Sequence, residues 1–215
     1  MTTLNRIVHQ TDGVAWLKAN PLTPGQSIIT SLPDSSELPS LGYPGWREWF
    51  VQSVKTCLDA CPDDSAALFF QTDVKRDGAW VDKGFLCQLG AEAAGTRLLW
   101  HKIVCRAPAG TITFGRPAYA HLLAFSRGLT ADPARSTADV IPRLGKMTWA
   151  RAMGIEACVV ACRFLLDCTS SRTVVDPFCG LGSALAVANS LGMRAIGVEL
   201  SRKRAEKARE LAVQI

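Results

Sequence analysis

The segment from Thr173 to Glu199 holds the residues of this chain with the clearest capacity for chemistry. Val174 and Val175 end a β-branched run that reads as a strand. Asp176, Pro177, Phe178, Cys179, Gly180, Leu181, Gly182 and Ser183 then make a tight turn. Ser183 to Leu191 is alanine-rich and predicts a helix, Gly192 stops it, and Arg194 to Val198 reads as a second strand with Glu199 at its carboxyl end. Glycines in such a turn let backbone approach a ligand closely, and an acid at the end of the next strand accepts from ribose hydroxyls. The chemistry predicted is the grip of a nucleoside cofactor at the switch point of an α/β sheet. Gly180 and Gly182 are followed by Ala184 and Leu185, so the dinucleotide fingerprint G-x-G-x-x-G is absent. A nucleotide-binding or purely structural βαβ unit is the competing interpretation.

Asp-Pro-Phe, the glycine turn and the spaced Glu199 together resemble motif I of S-adenosylmethionine (SAM)-dependent methyltransferases, in the DPF-x-G-x-G-[ST] form of DNA amino-methyltransferases. The resemblance implies SAM as cofactor, held by Asp176, Pro177, Phe178, Gly180, Gly182, Ser183, Glu199 and Leu200.

The elements that must position this turn lie upstream, because two strands alone cannot bury a sheet's faces. Arg6–His9 reads as a strand, followed by a helix with Val14, Trp16 and Leu17. Ser27–Ser31 is a strand, and Trp46, Trp49, Phe50, Val54 and Leu58 recur at helical spacing. Ala66–Phe70 is a strand, Gly84–Ala94 a helix, and Leu98–Val104 with Ala118–Phe125 a closing pair of strands. Residues 129–145 read as loop, and a helix is predicted from Thr148 to Leu166. This order resembles the circularly permuted, β-type amino-methyltransferases, whose catalytic half precedes the SAM-binding half. It implies a Rossmann-like α/β fold with a seven-stranded mixed sheet in one domain over 1–215: catalytic half 1–128, loop 129–147, SAM-binding half 148–215. In IVHQTDGVAWL, Asp12 would accept from the adenine amino group. ALFFQTD, LLWHK and AYAHLLAFSRG match later strand motifs in order, and GKMTWARAMGIE resembles the segment beside the methionine end of SAM.

The acceptor loop departs from the family. Its pattern is [DNS]-P-P-[YFW]; here it reads Ser31, Leu32, Pro33, Asp34. By resemblance, Ser31 and the Pro33 carbonyl would accept from a target amine. The aromatic that stacks on a flipped base is lost, and base stacking is worth roughly 1–3 kcal/mol. Tyr43, Pro44, Trp46 and Trp49 are the nearby candidates to replace it, although Trp46 and Trp49 on one helix face also read as core. Asp34 either takes a proton, grips a substrate donor, or simply forms a turn with Ser35 and Ser36. No cysteine precedes Cys57, which argues against C5-cytosine chemistry, and Cys179 inside the cofactor turn is ill placed as a nucleophile.

Composition is permissive rather than decisive. The 215 residues are 48% hydrophobic, enough for one core, and the net charge of +5 is mild. No apolar run reaches membrane-span length, and MTTLNRIVHQTDG carries no signal-peptide pattern. The eight cysteines sit in apolar contexts, which predicts reduced thiols and a cytoplasmic protein. Cys57/Cys61 and Cys158/Cys162 share helix faces at i, i+4, but buried small hydrophobes explain them better than a metal. In the permuted order a DNA target reader would lie between Phe125 and Thr148, where only about twenty residues of loop are present. That predicts RNA, tRNA foremost, read by a basic rim including Arg116 and Lys146, with Arg106 and Arg151 near it. The alternatives are a DNA N6-adenine or N4-cytosine methyltransferase helped by a partner or a homodimer, a non-catalytic subunit of the same fold, and a small-molecule methyltransferase.

Overall fold

The structure, a computed structural model, describes Asn5 to Ile215; Met1 to Leu4 lie outside the described residues. Its strands are β1 (Arg6–His9), β2 (Gln26–Thr30), β3 (Ala67–Gln71), β4 (Val74–Arg76), β5 (Ala79–Val81), β6 (Arg97–Cys105), β7 (Tyr119–Ser126), β8 (Val140–Ile141), β9 (Thr173–Asp176) and β10 (Arg194–Val198). The helices are α1 (Gly13–Ala19), α2 (Gly42–Ala60), α3 (Lys83–Ala93), α4 (Ile155–Cys168), α5 (Ser183–Ser190) and α6 (Arg202–Glu210). Eight strands form one mixed sheet in the order β1-β10-β9-β2-β3-β7-β6-β8. The expected sheet has seven; the eighth is the two-residue β8, which pairs with β6 inside the segment predicted as loop. Among the described residues, no helix is long and apolar enough to cross a membrane.

β9 is flanked by parallel β2 and β10, and every one of its residues is buried. That explains the paired Val174 and Val175, since a strand covered on both faces shows no apolar/polar alternation. Helices α1, α2 and α3 cover one face, with Trp46, Phe50, Val54, Cys57 and Leu58 of α2 packed against Ile28, Phe69 and Val175. Helices α4, α5 and α6 cover the other, where Cys158, Ala161, Cys162 and Leu165 meet Val174, Leu185 and Ala208. The chain leaving β9 therefore turns to one face and the chain leaving β2 to the opposite face. A crevice opens between their carboxyl ends, the position where open α/β sheets bind ligands.

Two local readings need correction. The helix predicted from Thr148 starts only at Ile155, capped by Gly154. A Cβ at Gly154 would stand 2.0 Å from the Leu144 carbonyl oxygen, and that carbonyl accepts from the Glu156 and Ala157 amides at 3.1 and 3.3 Å. The preceding stretch of chain thus satisfies the first amides of α4, which a helix otherwise leaves without partners, and 146–154 stays irregular. The hairpin β4–β5 was not expected. Its turn is Asp77-Gly78, both at positive φ (49° and 79°), the dipeptide that two-residue hairpins favour.

All eight cysteines are free. Burial pushes the Cys61 and Cys162 thiols up to about 12, and Cys57, Cys87, Cys158 and Cys179 well above the usual range for the same reason. Thiols so protonated are core groups, not nucleophiles.

Candidate active site

The crevice at the ends of β9 and β2 is lined by Asp12, Trp49, Trp149, Asp176, Pro177, Phe178, Gly180, Ser183, Glu199 and Leu200, with Ser31, Leu32 and Pro33 as its far wall. The turn after β9 is shaped by packing. Gly180 lies at φ 55°, and a Cβ there would come 3.3 Å from the Trp149 ring. Gly182 (φ 82°) does not face the crevice as expected; it lets α6 close in, since its Cβ would meet Ala208 at 3.1 Å. Phe178 meets Trp49 edge-on, ring centroids 5.8 Å apart, and these two form an aromatic side wall.

Four acids line the crevice, of which Glu37 sits on the wall toward Ser31 and the other three surround the glycine turn. Asp12 caps α1, accepting from the Ala15 amide at 2.7 Å. Glu199 accepts from the Gly180 amide at 3.1 Å, the Ser201 amide at 2.8 Å and the Arg204 guanidinium at 2.9 Å. Asp176 accepts from the Thr30 hydroxyl at 2.6 Å and the Phe178 amide at 3.1 Å. Burial nevertheless drives Asp176 up to about 7, with Glu199 adding to the rise and the two hydrogen bonds opposing it. Replacing Thr30 by Val should therefore cost about 1–3 kcal/mol at pH 8, where Asp176 is ionised and loses a charged hydrogen bond, and less at pH 5. Urea unfolding at the two pH values measures the difference; equal losses would contradict it.

A second, smaller cavity opens beside the first. Asp34, Thr72, Lys83, Arg106 and Arg116 line it, and the two share Ser31, Leu32, Glu37, Arg151 and Ala152. Arg151 pairs with Glu37 at 3.0 Å across that shared wall. Asp34 is not free here. One oxygen pairs with Lys83 and the other accepts from Arg116 at 2.9 Å. Lys83 is itself held where its amide donates to Asp73 at 2.8 Å, and Asp73 is anchored by His121 Nε2 at 3.0 Å. Asp34 is thus the centre of an ion triad rather than an open proton acceptor.

Other expected substrate contacts fall elsewhere. Trp46 is fully buried, and its indole N–H donates to the Pro33 carbonyl at 3.1 Å, so it buttresses the acceptor loop and has no face for a base. Tyr43 stacks on Trp46 and carries the Arg76 guanidinium 4.8 Å above its ring. Lys146 is exposed and lines neither cavity, whereas Arg116 lines the second. Sequence reasoning missed Thr30, Lys83 and Arg204, and reached Trp149 only through the segment GKMTWARAMGIE that contains it. Thr30, one residue before Ser31, has a signal in its place at a strand end; Lys83 and Arg204 have none.

No protein-family model matches the sequence, and no curated protein matches it. Solved structures do. A candidate DNA modification methylase from Thermus thermophilus, complexed with S-adenosyl-L-methionine, aligns at TM-score 0.72 and 19% identity over 95% of this chain and 92% of that one. The PvuII DNA methyltransferase, cytosine-N4-specific, aligns at TM-score 0.76 and 14% identity over 100% and 89%. The chain has the DNA-methyltransferase fold. M1.HpyAVI in complex with SAM aligns at TM-score 0.60 and 12% identity, over 95% of this chain and 97% of that one. The Rossmann-like architecture expected from the motif order is the one observed.

Proposed function

We propose that this protein is a SAM-dependent methyltransferase that modifies an exocyclic amine of a base in DNA. The observation that carries the reading is the junction at Ser31. The crevice and an acceptor cavity share this residue at the switch point of a methyltransferase-like sheet. The crevice fits the cofactor's chemistry. Asp176, buried at the end of β9, suits the α-ammonium in its ionised form; Glu199 suits the ribose hydroxyls; Asp12 suits the adenine amine; Phe178 and Trp49 flank the apolar surface between them. When bound, SAM supplies a methyl group already activated by its sulfonium. The chain's own task is then alignment and acceptor electrostatics, with the Ser31 hydroxyl accepting from the amine.

DNA replaces the RNA expected earlier. That expectation rested on the lack of a target-reading region, but 89–97% of each of these neighbouring chains, two of them named as DNA enzymes, is matched by this one. A compact chain is therefore no argument against DNA. One observation favours a second reading, a non-catalytic subunit: Trp46 already donates to the Pro33 carbonyl, and Asp34 is locked by Lys83 and Arg116. The readings separate on comparing wild type with Ser31→Ala. The enzyme reading predicts transfer to duplex DNA that falls at least roughly tenfold in the variant, with SAM affinity unchanged. SAM binding with no transfer from either protein selects the subunit.

A further inference from the structure

The loop between β6 and β7, residues 106–118, is the least explained part of the molecule. It rises from the edge of the sheet that carries the acceptor cavity, since the start of β7 pairs with the carboxyl end of β3 (Gln71 opposite His121). Its stem is cationic. Arg116 reaches into the cavity to Asp34, and Arg106, half buried in the same cavity, donates to the neutral Thr72 hydroxyl at 2.9 Å. Among the described residues no carboxylate forms a salt bridge with Arg106, whose guanidinium is held only by the Thr72 hydroxyl, so its charge stays open to an anion. Its tip is apolar: Ile112 is 81% exposed and Phe114 87% exposed. Two large apolar side chains held in water, two residues apart and flanked by arginines, match neither a solvated loop nor a core element.

We propose that this loop is a DNA clamp in which Arg106 and Arg116 hold backbone phosphate while Ile112 and Phe114 enter the space vacated by an extruded nucleotide. The inference rests on the DNA reading above. Taking a base out of a duplex leaves an unstacked gap, and apolar wedges fill such gaps at modest cost. The cationic stem places the wedge where the extruded base would enter the cavity by Ser31. Protein or lipid partners would also accept exposed Ile and Phe. The duplex is preferred because the apolar tip is continuous with a cationic acceptor cavity.

The test uses the full chain with SAM and two fluorescein-labelled duplexes of one sequence, intact and with a single abasic site that mimics extrusion. The wild type should bind the abasic duplex more tightly, by roughly tenfold. The Ile112→Ala/Phe114→Ala variant should bind both alike, with SAM affinity and melting temperature unchanged, because both side chains stand in solvent. Arg106→Gln should weaken both duplexes and flatten the salt dependence by about one phosphate contact. If the double variant keeps the abasic preference, or if the wild type shows none, the wedge is wrong while the DNA reading stands. If neither duplex binds although SAM does, both fail together. Binding to phosphatidylglycerol vesicles that only the double variant loses would overturn the clamp in favour of a membrane.

Discussion

Asp34→Ala is expected to destabilise the protein by about 3–5 kcal/mol. The carboxylate is buried, as is its partner Lys83, with 4% of the lysine side chain exposed. Removing the acid strands an ammonium in a site built for a neutralised pair, with Arg116 the only cation able to swing toward solvent. The cost is therefore that of an uncompensated buried charge, far above the value of about 0–1 kcal/mol for a surface pair. Asp34→Ala/Lys83→Met removes both charges and should recover most of the loss, since a buried pair is often replaceable by apolar side chains of similar volume. Urea unfolding of the three proteins reads this directly. A loss below about 1 kcal/mol in the single variant would mean that the triad is solvated and that Asp34 is free for chemistry.

Affinity for SAM is expected to rise with pH through about 7, and Asp176→Asn should abolish the rise. In the free protein Asp176 binds a proton up to about 7, against roughly 3.9 in the unfolded chain. The sign for stability follows: between those values the native state holds more protons, so the contribution of Asp176 is full below about 4 and is lost as pH rises toward 7. A cationic ligand reverses the preference, because its ammonium favours the carboxylate. Below pH 7 binding must expel a proton; above it the anion waits ready. Titration calorimetry at pH 6 and pH 8 should show tighter binding at pH 8 in the wild type, with proton release at pH 6. Asp176→Asn should be pH-independent across that range and weaker at pH 8 by at least roughly tenfold, the worth of a charge-assisted contact. Tighter binding at pH 6 would remove Asp176 from the ammonium site.

Much of this was legible because buried parallel strands announce themselves. Val174-Val175 before Asp-Pro-Phe, and a glycine turn followed by an alanine helix, have few other structural uses. The residue patterns place β1, β2, β3, β6, β7 and β10 to within a residue or two, but not β8 or the β4–β5 hairpin. What stayed hidden depends on long-range contact. Nothing local marks Lys83 as a partner of Asp34, forty-nine residues away, nor Trp149 as a wall against Gly180. The helix start was misjudged because its first amides are satisfied by Leu144 and Lys146, and periodicity does not reveal carbonyls arriving from outside the helix. Core packing and base stacking both stay open for Trp46 and Trp49 in the sequence, because helical spacing does not say which of two neighbouring indoles turns inward; Trp46 is the buried one. The Asp77-Gly78 turn, in contrast, is legible from its dipeptide alone.

The most direct measurement is methyl transfer with identification of the product. The purified protein is incubated with methyl-labelled SAM and either duplex DNA or total RNA, and the nucleic acid is digested to nucleosides. The proposal predicts label in DNA, on the exocyclic amine of adenine or cytosine, and its loss in Ser31→Ala. Label confined to an RNA nucleoside, or on a ring carbon or ring nitrogen, would contradict it.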